Sequence, residues 1–210
     1  MGEEPVDRPE YELLSKLKTH NPATAETKIR LIAEKEATGE TAAAYQYFRD
    51  QTGRQDVPGI LKCFATNPAF ARQMVDVSSS LLFCDGALTR RQKEMIATYI
   101  SQLNACPYCF DSHGFFLTVQ GESRQTIDDL AANNLAPLSE MDRELLLFLG
   151  KVERESFKTT AEDVQRLRDL GWLEYQIAEA VLVAAMTGFC NRVANAFGLP
   201  TQNLLSLQFT

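Results

Sequence analysis

Four side chains within twenty residues could do chemistry together: Glu94, Cys106, Cys109 and His113. Cys106 and Cys109 form a CxxC pair, which in a reducing compartment is more often redox-active or metal-binding than structural. Pro107 favours the first turn of a helix, so Cys106 falls at an N-cap and Cys109 in the first turn, with His113 four residues on. Residues three and four apart share a helix face, which lets all three line one side. Glu94 joins them only if the chain turns. On one unbroken helix it would lie about 18 Å and about 120° away from Cys106. The sequence Asn104-Ala105-Cys106-Pro107 predicts the break that folds a second helix back.

A free cysteine has a pKa of about 8.5 and is mostly protonated at neutral pH, whereas the thiolate is the nucleophile. A helix N-terminus and a nearby imidazole both favour the thiolate. Ionisation alone contributes only a factor of about two or three, because nucleophilicity falls with pKa at a Brønsted slope of about 0.4–0.5. A proficient thiol peroxidase also needs orientation and a proton for the departing alkoxide. His113, held by the Glu94 carboxylate, could shuttle that proton, and the neighbouring thiol could resolve a sulfenic acid to a disulfide. Two other uses of these residues remain open: four ligands for zinc, and thiols that merely pack. Phe110, where a c-type haem site needs histidine, argues against haem. A thioredoxin-like site would need flanking strands.

No such strands are evident: no stretch alternates cleanly and β-branched clusters are scarce. Helical periodicity predicts an all-α fold of about eight or nine helices with the CxxC at a helix N-terminus. The expected helices are 23–36, 41–48, 59–65, 69–82, one beginning after the N-cap Thr89, 107–120, 123–133, 139–155, 161–170 and 174–197. Ser139 opens a capping-box pattern, and Gly171 and Gly198 stand where helices would end. The last helix is apolar around most of its circumference (Ile177, Val181, Leu182, Val183, Met186, Phe189, Val193, Phe197), as expected of a core helix, a subunit contact, or both.

The 210 residues, 45% hydrophobic and 23% charged, suit a single domain over 1–210 with a sizeable core and 1–22 as an N-terminal arm. Twenty-one basic against 28 acidic residues give a net charge of −7, which disfavours nucleic acid and anionic membrane as partners. The acidic, Pro-containing start does not read as a secretory leader. The most apolar stretch, 177–190, contains Glu179 and falls short of the roughly 20 residues a membrane span needs. A cytoplasmic location is expected. Cys63, Cys84 and Cys190 read as small buried hydrophobes, His20 as a solvated residue and Trp172 as a packing anchor.

The pattern Glu94-x11-Cys106-x2-Cys109-x3-His113 resembles the signature of the alkylhydroperoxidase D-like (carboxymuconolactone decarboxylase) superfamily, in its peroxidase-related branch. The resemblance extends to Gly53-Arg54-Gln55-Asp56-Val57-Pro58-Gly59-Ile60-Leu61, to Leu88-Thr89 ahead of Glu94, and to Asn191-Arg192-Val193-Ala194-Asn195-Ala196-Phe197-Gly198-Leu199. It implies a thiol-dependent hydroperoxide reductase with no metal, haem or other cofactor. Cys109 would become the sulfenic acid, Cys106 would be the resolving thiol, and Glu94 with His113 would form the proton relay. The implied partners are a hydroperoxide substrate, an external dithiol reductant of lipoyl type and further copies of the chain in a homo-oligomer. Tyr108 departs from a related branch that carries histidine before the second cysteine; a phenol can donate a hydrogen bond but is no base at neutral pH. The superfamily also offers decarboxylase or lactone-processing chemistry, which has no need of two thiols. A non-enzymatic redox-sensing or zinc-binding protein is the alternative of a different class.

Overall fold

A computed structural model describes residues 27–206 of the chain; the expectations for residues 1–22 and for His20 lie outside them. Among the described residues there are nine α-helices and no strand. They are α1 (Gly39–Thr52), α2 (Gly59–Cys63), α3 (Pro68–Leu81), α4 (Arg90–Leu103), α5 (Pro107–Val119), α6 (Arg124–Ala131), α7 (Glu140–Glu155), α8 (Ala161–Asp169) and α9 (Glu174–Phe197). The all-α expectation holds, and most helix bounds fall within three residues of those read from periodicity. They do so because the ends carry local signals. Thr89 and Gln92 form a reciprocal capping box ahead of α4, and Ser139 accepts the Asp142 N–H at 3.1 Å ahead of α7. Gly171 after α8 and Gly198 after α9 take the left-handed conformation, with φ of +98° and +73°.

The helix expected over 23–36 does not form in its described part. Residues 27–33 are non-helical and only Glu34–Glu36 makes a 3-10 turn. Tertiary bonds outbid helix propensity here. Leu31 is buried, the Tyr45 hydroxyl donates to the Ile32 carbonyl at 2.7 Å, and the Glu34 carboxylate takes Arg49 at 2.6 Å and Lys62 at 3.0 Å. Glu34 thus anchors this non-helical segment to α1 and α2.

The described chain divides into two compact units. One comprises residues 27–84 with 193–206, in which α1 packs on α3 around Tyr45, Phe48, Met74 and Val75. The other, Asp85–Arg192, holds α4 to α8 and most of α9. In it α4 and α5 form a tightly packed hairpin, and α4 also packs on α6 and α7. Its core includes Ile96, Ile100, Phe115, Leu117, Ile127, Leu130 and Leu146, all essentially inaccessible. The α9 helix adds Ile177, Ala180, Val183, Ala184 and Thr187. Lys93 of α4, wholly buried, pairs with Glu179 of α9 at 2.8 Å. Trp172 is buried, as expected, and its indole N–H donates to the Met141 carbonyl at 3.1 Å. Of the three lone thiols expected to be buried, only Cys63 is; Cys84 and Cys190 keep part of their surface.

Candidate active site

The break ahead of Pro107 is a Schellman turn built without glycine. Ala105 takes the left-handed conformation, φ +47°, its N–H donates to the Gln102 carbonyl at 3.0 Å, and the Cys106 N–H donates to the Ser101 carbonyl at 3.0 Å. Cys106 then begins the next helix with its side chain: the sulfur sits at the N-cap of α5 and accepts the Cys109 N–H at 3.4 Å. One residue therefore closes α4 with its backbone and opens α5 with its thiol. The hairpin that results brings α5 back along α4.

All four residues selected from the sequence meet in this hairpin. The His113 Nδ1 lies 2.7 Å from Glu94 Oε2, and the two sulfurs, both free thiols, lie 2.7 Å apart. Glu94 is buried on every side, and its second oxygen is held by a residue the sequence reading missed. Arg90, one turn earlier on α4, donates to Oε1 through Nε at 3.0 Å and a terminal nitrogen at 2.5 Å. The i, i+4 spacing of Arg90 and Glu94 was the available signal. Burial pushes the Glu94 carboxyl up, but the Arg90 guanidinium and the His113 ring outweigh it and hold the group below its usual value. An ionised Glu94 makes Nδ1–H the donor and leaves His113 Nε2 as the position for proton exchange. The ring is steadied further by the Phe116 edge at 6.1 Å, and Arg90 stands over the face of Phe116 at 5.8 Å.

The two thiols are not equivalent. Cys106 is held below the ordinary thiol value, first by the hydrogen bond from the Cys109 thiol, against burial, with further help from backbone N–H groups at the start of α5 and from Asn191. Cys109 is pushed well above its ordinary value by donating its proton to Cys106 and by burial. Of the two thiols, Cys106, the N-cap residue, is therefore the one that ionises more readily. The sulfur of nearby Cys190 is raised to about 12 by desolvation and by the Cys106 charge, although part of that residue is accessible.

Asn191 is the second residue the sequence reading left without a role. Fully buried in α9, it donates to Ser101 Oγ at 3.0 Å and accepts from Asn104 Nδ2 at 3.0 Å, and its amide favours the ionised form of both thiols. Asn104 also donates to Glu153, which holds Arg192 at 2.6 Å. Gly188 makes room for that carboxylate: a Cβ there would lie 2.5 Å from a Glu153 oxygen. A buried amide in a hydrophobic run was the signal, since such a group must find partners.

Access to the dithiol is narrow: Cys106 is 1% exposed and Cys109 4%. Phe115 and Phe116 are buried and stack edge to face at 5.7 Å, which makes them core residues. A groove of about 330 Å³ between α7 and α8, lined by Glu144, Leu147, Lys151, Asp163 and Arg166, carries no thiol or imidazole and is not the reactive centre. Among the described residues no three His, Cys, Asp or Glu side chains are grouped to hold a metal; both Glu94 oxygens already serve Arg90 and His113.

Comparison with known proteins agrees with this architecture. The model of the carboxymuconolactone decarboxylase family matches residues 68–147, which include all four site residues. A search of curated proteins finds no significant match. Among solved structures, an uncharacterised peroxidase-related protein from Ralstonia eutropha JMP134, described as an alkylhydroperoxidase AhpD core, is 25% identical with a TM-score of 0.72, over 84% of this chain and 92% of that one. A peroxidase-related protein from Silicibacter sp. TM1040 is 26% identical with a TM-score of 0.72, over 88% and 95%. The debrominase Bmp8 shares the fold at 17% identity and a TM-score of 0.65, over 87% and 94%. The matched segment is similar to the carboxymuconolactone decarboxylase family, and the all-α fold is shared with alkylhydroperoxidase D-like, peroxidase-related proteins.

Proposed function

We propose that the chain is a thiol-dependent hydroperoxide reductase that cycles Cys106 and Cys109 between dithiol and disulfide. The observation that carries this reading is the pairing of a charge-stabilised dithiol with a buried Arg90–Glu94–His113 chain on the same helical hairpin. Cys106, the more acidic thiol, gives its proton to the His113 ring that the Glu94 carboxylate orients, while Cys109 keeps its own. The Cys109 proton passes across the sulfur–sulfur contact to Cys106. The Cys109 thiolate then attacks the hydroperoxide: an S–O bond forms, the O–O bond breaks, and the alkoxide leaves with the His113 proton as alcohol. Cys106 attacks the Cys109 sulfenic acid, forming the disulfide and releasing water that includes the last thiol proton. An external dithiol of lipoyl type reduces the disulfide by exchange and returns both protons.

Cys109 is favoured as the attacking sulfur because His113 lies one turn after it and helix side chains lean towards the N-terminus, which aims the imidazole at Cys109. The higher proton affinity of Cys109 also makes its thiolate the stronger nucleophile once formed. The experiment is steady-state turnover: hydroperoxide consumption coupled to oxidation of dihydrolipoamide, with wild type and Cys109→Ser compared. Multiple turnovers by wild type and none by the variant support the reading; equal rates contradict it.

A further inference from the structure

A chain of hydrogen bonds starts on α7 and ends beside the dithiol, passing through two amides. Glu153 of α7 keeps only 5% of its side-chain surface, and its Oε1 accepts from Asn104 Nδ2 at 3.0 Å and from Arg192 at 2.6 Å. Asn104, the residue that closes α4, donates through the same Nδ2 to Asn191 Oδ1 at 3.0 Å. Asn191, fully buried on α9, donates through its Nδ2 to Ser101 Oγ at 3.0 Å. Ser101 in turn offers its backbone carbonyl to the Cys106 N–H at 3.0 Å. Gly188 lets the carboxylate come this close to α9, since a Cβ there would lie 2.5 Å from Glu153 Oε2 and 2.8 Å from an Arg192 nitrogen.

The direction of every bond in this chain follows from its first member. A carboxylate only accepts, whereas an amide can present either its oxygen or its NH2. Glu153 therefore turns the NH2 of Asn104 towards itself. The same NH2 reaches Asn191, which must answer with Oδ1. That leaves the Asn191 NH2 for Ser101 and the sulfurs, where a donor favours the thiolate. We propose that Glu153 is a positioning residue for the dithiol: it fixes the polarity of Asn104 and Asn191, so that the buried thiols meet an amide donor and not an amide oxygen. The role rests on the dithiol being the reactive pair, but it concerns the acidity of the thiols and not their reaction with peroxide. Acting as a bare charge, Glu153 would have the opposite effect. A carboxylate disfavours a second anion nearby, so its loss would ease thiol ionisation, the more so with Arg192 left behind.

The test is the pH profile of thiol alkylation in the full chain, read by mass spectrometry at Cys106 and Cys109, for wild type, Glu153→Ala, Glu153→Gln and Asn104→Ala. Glu153→Ala and Asn104→Ala release the Asn191 amide, and each should move the profile upward by about half a unit to one unit, at most the size of one hydrogen bond to a charged group. Glu153→Gln can still accept from Asn104 through its carbonyl oxygen, so its profile should stay at or below that of wild type. In an Asn191→Ala background Glu153→Ala should add no upward shift, because no amide is left to orient. Arg90, Glu94, His113 and Cys190 are the same in all of these variants and supply no difference. Arg192 is 63% exposed and returns to water when Glu153 is lost, so Glu153→Ala strands no buried cation, and Asn104→Ala carries the test if it nevertheless misfolds. A downward or absent shift in the alanine variants, an equal upward shift in Glu153→Gln, or a further upward shift on the Asn191→Ala background would overturn the proposal. Thiols that shift as expected in a chain that turns over no hydroperoxide would support the positioning role and contradict the proposed function alone.

Discussion

The Glu94 carboxylate meets the His113 imidazole at 2.7 Å across nineteen residues of sequence, inside a helical hairpin closed by a single turn. The carboxylate is divided between a permanent cation and a titratable ring, so it orients His113 without surrendering its own charge. The prediction with the largest stability effect follows. Glu94→Gln leaves Arg90 buried without its counter-charge, and the loss of a buried partner of this kind costs about 3–5 kcal/mol. Chemical denaturation at neutral pH reads that loss directly.

The same group sets an acid limit. Because Glu94 titrates lower in the folded chain than its usual value, its stabilisation is complete above the unfolded carboxyl pKa of about 4.3 and is lost as pH falls through the lower folded value. Stability measured from pH 6 downward should fall below about pH 4 in wild type. The contribution of this one group is isolated by Glu94→Gln, whose smaller stability should decline less steeply over that window.

The Asn191 amide favours the ionised form of both thiols, so its removal should leave them harder to ionise. Asn191→Ala should shift the pH profile of thiol alkylation upward by about one unit, the size expected for losing one hydrogen bond to a charged group. An unchanged profile would mean that the amide serves Ser101 and Asn104 alone.

Ala105 pays a backbone cost that its neighbours need, since its left-handed conformation lets Cys106 end one helix and start the next. Ala105→Gly should relieve that conformation and stabilise the chain by about 1 kcal/mol, whereas Ala105→Val should destabilise it by more. Thermal unfolding of the three proteins checks the order.

The roles of the two sulfurs separate by single substitution. Cys109→Ser should abolish peroxide reduction, and Cys106→Ser should still permit one oxidation, to a sulfenic acid trapped by dimedone, because serine keeps the N-cap of α5. The reverse pattern would assign the attack to Cys106, the more acidic of the two thiols.

Much of this site was legible from residue types alone. The turn at Asn104–Pro107, the N-cap sulfur and the convergence of Glu94 with His113 all follow from proline chemistry and helical spacing, which are local. Arg90 and Asn191 were harder to see for a physical reason: their significance is burial, and burial is decided by packing that sequence spacing does not report. Residues 27–36 misled for the related reason that charged side chains anchored by Arg49 and Lys62 look identical, in sequence, to a solvated helix face.

The most direct test of the dithiol account is mass spectrometry of every cysteine after one equivalent of hydroperoxide. The account predicts loss of two thiols per chain in one Cys106–Cys109 disulfide, with Cys63, Cys84 and Cys190 unmodified. An unchanged thiol count, or oxidation confined to the more accessible Cys84 and Cys190, would contradict it.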